Sequence, residues 1–318
     1  MLTSATAPAR TGGTAPSPAA CAAAPASPAA LGIGELPPSV RDGVRLLCGD
    51  PWQATPVGRS GATLLLSGTR GRCILKLLPA DLAGVDIAVV LQCVRAAGVA
   101  APALLGLWQE SSGAEAAAGT AAPRWAAFEF VAGQVPRPGS AGWSQLWSGA
   151  GHTLQQLARV ELPALPGVLP RPAETWRHRV ATLDASGGVA ALRARLDETP
   201  PSPLRFAHGD FAPQNMLLAG PRLVLLDWEA FGHAPAGFDA GWVCALNAIG
   251  AGPQFAPRQL EAWLAPLELS PAEVWSGTGM GLLRLLWRAS GWARRDAALQ
   301  PVVDRVALAI ARHAVVAA

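Results

Sequence analysis

"RFAHGDFAPQNMLL", Arg205 to Leu218, and "LVLLDWE", Leu223 to Glu229, decide how this chain is read. The first packs His208, Asp210 and Asn215 into eight residues and then turns apolar. The second delivers Asp227 at the end of four apolar residues. Pro213 forbids a regular helix interior between Asp210 and Asn215, because it lacks the amide N–H and clashes with the preceding turn. A loop there can turn both polar ends to one point. "LVLL" reads as a buried strand. A carboxylate at its end, opposite an Asp/Asn loop, makes an oxygen-rich pocket. Hard oxygen donors with an amide among them suit Mg²⁺, which keeps waters and shares substrate phosphates. Asn215 and Asp227 are thus candidate metal ligands, and Asp210 is left as a candidate base for an incoming hydroxyl. Asp and Asn also sit in loops for turn chemistry alone. His208 is expected to order the loop by hydrogen bonds rather than to do chemistry.

The rest of the composition narrows the setting. The chain has 318 residues, 51% hydrophobic and 15% charged, which allows a sizeable core in one large domain or two lobes. A formal net charge of +3 is no basic patch of the nucleic-acid kind. Of 25 Lys+Arg only Lys76 is a lysine. A lysine retained against that bias suggests use as a compact point charge, which a planar guanidinium cannot replace. Cys21, Cys48, Cys73, Cys93 and Cys244 form no CxxC pair, so a zinc site is not expected, and the scattered set reads as reduced thiols in a cytoplasmic protein. No apolar run suits a membrane span. Residues 1–33, rich in Ala and Pro, read as a disordered tail or a mis-assigned start.

Along the chain, residues 35–49 suggest a short helix. Two apolar runs, Ala62–Leu66 and Cys73–Leu78, flank "SGTRGR" as a hairpin does. "DLAGVDIAVVLQCVRAAG" has helical spacing and a glycine stop at Gly98. "VAAPALLGLW" and "RWAAFEFVAG" read as two more strands. From Gly133 onward the pattern is mainly helical, interrupted by strand and loop from Leu204 to Phe238. The expected division is a disordered 1–33, a β-rich N-lobe at 34–131 and a helical C-lobe at 132–318.

Two upstream pieces complement the loop. "VGRSGAT" contains Gly58, Ser60 and Gly61, and backbone N–H groups in such a turn can cradle phosphate oxygens. Lys76 ends "CILK" on the same hairpin, and a lysine in an apolar strand needs an anionic partner. Together "HGDFAPQN", "LLDWE" and "CILK" resemble the aminoglycoside phosphotransferase and choline kinase-like family, from about Asp50 to Val243. The resemblance implies an α+β, bilobal, protein-kinase-like fold: a small antiparallel-sheet N-lobe with one main helix and a larger, mostly helical C-lobe. It implies ATP and Mg²⁺ as cofactors, with Asp210 as the catalytic aspartate, Asn215 and Asp227 holding Mg²⁺, and Lys76 holding the ATP phosphates. The backbone near Glu129, Phe130 and Val131 would read adenine, and Asp239 would brace the site. The family places a glutamate on the helix after the lysine strand; here that helix offers Asp86, one methylene shorter, with Asp81 nearby.

The expected activity is transfer of the γ-phosphoryl group to a hydroxyl of a small molecule, without nucleic acid or membrane as partner. A nucleotide-binding pseudokinase with little turnover and an aminoglycoside resistance kinase are the alternatives. A metal-dependent hydrolase using His208, Asp210, Asp227 and His233 would leave Asn215 and Lys76 unexplained. From Ala132 to Ala318 the chain holds 14 Asp+Glu against 16 Arg, which favours a neutral or anionic acceptor over a polycation unless acids cluster locally, around Asp197–Glu198 or Glu268 and Glu273.

Overall fold

The structure is a computed structural model and describes residues 36–57, 63–82, 84–109, 123–163, 169 and 171–316. The tail 1–33 and the phosphate-turn residues Gly58, Ser60 and Gly61 lie outside the described residues, as does the side chain of Asp81.

The first half is one five-stranded antiparallel sheet with a helix against each face. Its strands are β1 (Trp52–Pro56), β2 (Thr63–Gly68), β3 (Gly71–Leu78), β4 (Leu104–Gln109) and β5 (Arg124–Glu129), in the order β1-β2-β3-β5-β4. β1 is an addition to the expected hairpin: residues 52–56 pair with β2 over five positions although their burial is low. Helix α1 (Pro38–Cys48) buries Val40, Val44 and Cys48, spaced four apart on one stripe. Helix α2 (Ile87–Ala96) buries Ile87, Val90, Leu91 and Val94. It begins at Ile87 rather than near Asp81 because Asp86 is its N-cap: Oδ1 accepts the N–H of Ala88 at 3.1 Å and of Val89 at 3.3 Å.

The pleat of β3 decides where Lys76 points. Cys73 and Leu75 pack with α1, so the alternate residues Ile74 and Lys76 belong to the opposite face, and Ile74 packs into the central core. Lys76 is held in register by Thr63 on one side and Ala126 on the other.

The second half is built from α3 (Ala141–Leu157), α4 (Pro172–Val180), α5 (Gly187–Glu198), α6 (Phe238–Ala248), α7 (Pro257–Leu264), α8 (Pro271–Ala293) and α9 (Gln300–Val315). Two short ribbons lie among them: β6 (Leu204–Ala207) with β9 (Gly232–Pro235), and β7 (Met216–Ala219) with β8 (Arg222–Leu225). The central core joins the halves, running from Leu78 and Val90 through Trp143 and Trp147 to Phe211 and Leu225. A second core fills the helical lobe around Trp176, Trp242, Leu282 and Ile310. α6 and α8 cross at backbone contact: a Cβ on Gly241 would lie 2.0 Å from the carbonyl carbon of Gly277. The architecture is therefore α+β with two lobes. Among the described residues no helix is long and apolar enough to cross a membrane.

Candidate active site

One hairpin begins at Asn215 and ends at Asp227. Met216 pairs with Leu225, and the N–H of Leu226 donates to the Asn215 carbonyl at 2.7 Å. The ribbon thereby brings the two residues separated by "MLLAGPRLVLL" to one end. Asp227 has φ +65°, a left-handed backbone that Asp tolerates better than most residues. Trp228 is buried behind it and donates its indole N–H to the Leu225 carbonyl at 2.8 Å.

The loop bearing Asp210 is fixed from three directions. Asp239, in the first turn of α6, accepts the N–H of His208 at 2.7 Å and of Gly209 at 3.1 Å, one on each oxygen. Burial raises the Asp239 pKa, although His208 and these two N–H groups work against the rise. His208 is fully buried, and its Nδ1 accepts the Asp210 N–H at 3.3 Å. Nε2 therefore carries the proton and donates to the Leu226 carbonyl at 2.9 Å. Both ring nitrogens are used in ordering the loop, which leaves none for a metal. Gly209 (φ +82°) permits the closest approach: a Cβ there would stand 1.9 Å from the Ala230 carbonyl oxygen.

Asp210 projects from this loop at 21% side-chain exposure. Asn215 donates Nδ2 to its carbonyl oxygen at 2.9 Å and to Oδ2 at 3.1 Å. Arg288 of α8 donates Nη2 to Oδ1 at 2.9 Å, and Nη2 of Arg284 lies 3.7 Å from the same oxygen. Burial by itself would raise the Asp210 pKa; the charges of Arg288 and Arg284 outweigh it and hold the carboxyl below its ordinary value.

Across from the loop, Lys76 reaches over from β3. Its Nζ makes ion pairs with Asp227 Oδ1 and, at 2.6 Å, with Glu229 Oε1. Burial would lower the lysine pKa, and the two carboxylates reverse that and raise it. Burial raises the Glu229 pKa despite Lys76. Lys76 and Asp227 stand 151 residues apart in sequence, so this contact is wholly tertiary.

The structure thus brings together Lys76, Asp210, Asn215 and Asp227. It does not bring Asp86 to Lys76: the Asp86 carboxylate serves the first turn of α2, and the partners of Lys76 among the described residues are Asp227 and Glu229. With Oδ1 accepting two N–H groups of α2, the Asp86 carboxylate is held at its own helix. Glu129 ends β5; its side chain accepts the Ala103 N–H at 3.1 Å, and its own N–H donates to the Ala103 carbonyl. Phe130 carries the Arg72 guanidinium 4.0 Å above its ring, and Val131 packs near Leu217 and Val224. His233 lies in β9 opposite Phe206. Glu273 is spent in the capping box of α8, where its Oε2 accepts the Ser270 N–H at 2.8 Å, which removes it from any acidic cluster.

Sequence reasoning missed Glu229, Arg284 and Arg288. Their signals were available: a second carboxylate beside Asp227, and two arginines four apart in the apolar "LLRLLWRA", where a buried cation needs a partner.

For a cation, Asn215 has its amide nitrogen committed to Asp210, leaving Oδ1, and Asp227 has Oδ2 beyond its contact with Lys76. Among the described residues no three His, Cys, Asp or Glu side chains form a metal cage. One carboxylate and one amide oxygen fit an ion such as Mg²⁺, which draws the rest of its shell from water and phosphate. A cavity of about 390 Å³ between α4, α5 and α8, lined by Arg177, Leu196 and Met280, contains none of these residues.

The sequence pattern of the phosphotransferase enzyme family (APH) matches residues 52–275. No curated protein matches the chain. Among solved structures, the chain is similar to an aminoglycoside-3'-phosphotransferase of type VIII, at 21% identity over 76% of this chain and 97% of that one, with a TM-score of 0.54. Choline kinase LicA from Streptococcus pneumoniae matches at 13% identity over 86% and 98%, with a TM-score of 0.55. A thermostable mutant of an aminoglycoside phosphotransferase, in ternary complex with AMP-PNP and hygromycin B, matches at 13% identity over 88% and 100%, with a TM-score of 0.63. At these identities the likeness is one of fold, and the fold is protein-kinase-like.

Proposed function

Since the chain belongs to the phosphotransferase enzyme family, we propose that it transfers the γ-phosphoryl group of ATP to a hydroxyl of a small molecule. The observation that carries this reading is the convergence of Lys76 from the sheet with Asp227 and Glu229, beside a loop in which Asn215 holds Asp210. Phosphoryl transfer needs little covalent help from the protein; it needs positioning and charge neutralisation. Lys76 would exchange a carboxylate for phosphate oxygens. The backbone at Glu129, Phe130 and Val131 would read the adenine. Asn215 Oδ1 and Asp227 would hold Mg²⁺, whose chemistry is to neutralise charge on the phosphate oxygens. Asp210 would accept the proton of the acceptor hydroxyl as its oxygen bonds the γ-phosphorus and the bond to ADP breaks. Removing Arg288 from Asp210 Oδ1 would free that oxygen for the hydroxyl.

The test is binding followed by turnover. Mg·ATP should bind, and bind more weakly without Mg²⁺. Hydroxyl compounds incubated with Mg·ATP should then gain a phosphoryl group by mass spectrometry. Binding without any such product returns the pseudokinase reading.

A further inference from the structure

α8 presents Arg284 and Arg288 to Asp210. Arg284 is completely buried and braces the loop through Nη2, which donates to the Gly209 carbonyl at 2.8 Å. Its Nε and Nη1 are buried without a hydrogen-bond partner. The guanidinium lies 4.3 Å from the Trp242 ring centre and 4.7 Å from those of Trp176 and Phe238. Arg288 sits over Trp176 and Trp242 at 5.0 and 5.1 Å, and Arg179 over Trp176 at 5.0 Å.

Asp239 has each oxygen taken by a backbone N–H, so Asp210 is the carboxylate that Arg284 and Arg288 share. Burial, then Arg288, pushes the Arg284 pKa down to about 9. Arg288 is not needed to order the loop, because Arg284, Asp239 and His208 already do so. Its bond to Asp210 uses Nη2, and among the described residues Nε and Nη1 have no protein acceptor. A planar guanidinium beside aromatic rings, partly exposed and with uncommitted N–H groups, suits a carboxylate or phosphate.

In-line transfer sets the donor and the acceptor on opposite sides of the transferred group. Lys76 and Asp227 mark the donor side. α8 packs on α4, α5, α6 and α9 and carries Arg288 to Asp210, the residue that in this reading takes the acceptor's proton, and so belongs to the acceptor side. Resting on the functional reading above, we propose that Arg288, backed by Arg284, is the subsite for an anionic group, carboxylate or phosphate, carried by the hydroxyl compound that is phosphorylated. When the acceptor binds, its anion takes the guanidinium and its hydroxyl takes the vacated Asp210 oxygen.

The experiment compares alcohols of graded charge with Mg·ATP held saturating: glycerate and glycerol 3-phosphate as anions, glycerol as the neutral case, ethanolamine and kanamycin as cations. Anionic acceptors are expected to have the highest kcat/KM. Arg288→Gln should raise their KM by about tenfold or more while leaving Mg·ATP affinity unchanged, and Arg288→Lys should restore part of the loss. A best acceptor that is neutral or cationic overturns the subsite. So does an Arg288→Gln variant whose defect lies in Mg·ATP affinity, which would assign the arginine to the γ-phosphate. Failure of the parent protein to bind Mg·ATP, scored separately by thermal shift, removes the functional reading and the subsite with it.

Discussion

At the scale of residues, two carboxylates at one loop do different work: Asp239 is buried against the N–H groups of His208 and Gly209, and Asp210 is partly exposed. Asp210 is solvent-touching and faced by cations; its pKa is lowered because Arg288 and Arg284 outweigh burial. The stability this contributes is present above the unfolded pKa and is lost as pH falls through the lower folded one. The Asp210 limb in a kcat/KM profile should therefore lie on the acid side of an ordinary aspartate's. An acid limb near neutrality that disappears in Asp210→Asn would reject the assignment. The same substitution should lower kcat by about 10²–10⁴ while Mg·ATP binding survives. Glu229 and Asp86 offer a second contrast. Glu229→Gln removes a charged partner of Lys76 and should raise the KM for ATP by about tenfold. Asp86→Ala removes a helix cap and should cost about 1 kcal/mol of stability with the KM for ATP unchanged; the reverse pattern would return Asp86 to the lysine. The identities of Asp210, Asn215, Asp227 and Lys76 were legible in sequence, because each is a polar residue set against an apolar run. The partner of Lys76 was not, since a one-dimensional pattern does not say which carboxylate a side chain will reach.

At the scale of elements, α6 and α8 act as a pair. α6 carries Asp239 onto the loop N–H groups, and α8 carries Arg284 onto the Gly209 carbonyl. Their spacing is set where Gly241 meets Gly277 with no room for a side chain. Gly241→Ala gains about 1 kcal/mol in helix propensity. It also drives a Cβ into backbone, an overpacking that costs about 1–3 kcal/mol and that no rotamer can relieve. The net expectation is a lower unfolding midpoint in denaturant and a lower kcat, because both braces move. A variant more stable than the parent would show that the helices separate freely. The helices themselves were readable from their apolar spacing, as in Val40, Val44 and Cys48 of α1. β1 was not, because its half-exposed residues show no clear alternation and gain their pairing only from β2. α2 was read too long at its start because Asp86 acts as a cap, which a periodicity count passes over.

At the scale of the whole molecule, the sheet lobe and the helical lobe meet at the ion pairs of Lys76 with Asp227 and Glu229. A ligand bridging them should stabilise the folded chain. At 100 times its dissociation constant Mg·ATP should add about 2.7 kcal/mol, or about 5 °C in Tm for a chain of this size. ATP without Mg²⁺ should add less, and Asp227→Ala should abolish the difference. Equal shifts with and without Mg²⁺ would remove the metal from the site. What the sequence determined by itself was local pattern and fold class: an Asp/Asn loop, a strand-end aspartate, a lone lysine, and alternating then helical apolar spacing. These are local patterns, and local sterics and burial are enough to set them. What only the tertiary structure decided was pairing: that Lys76 meets Glu229 rather than Asp86, that His208 gives both nitrogens to the backbone, and that two arginines of α8 converge on Asp210. Lys76 also meets Asp227, 151 residues away, and Arg288 meets Asp210 from 78 residues away. These contacts arise because buried charges must find partners once the cores have fixed which elements are neighbours.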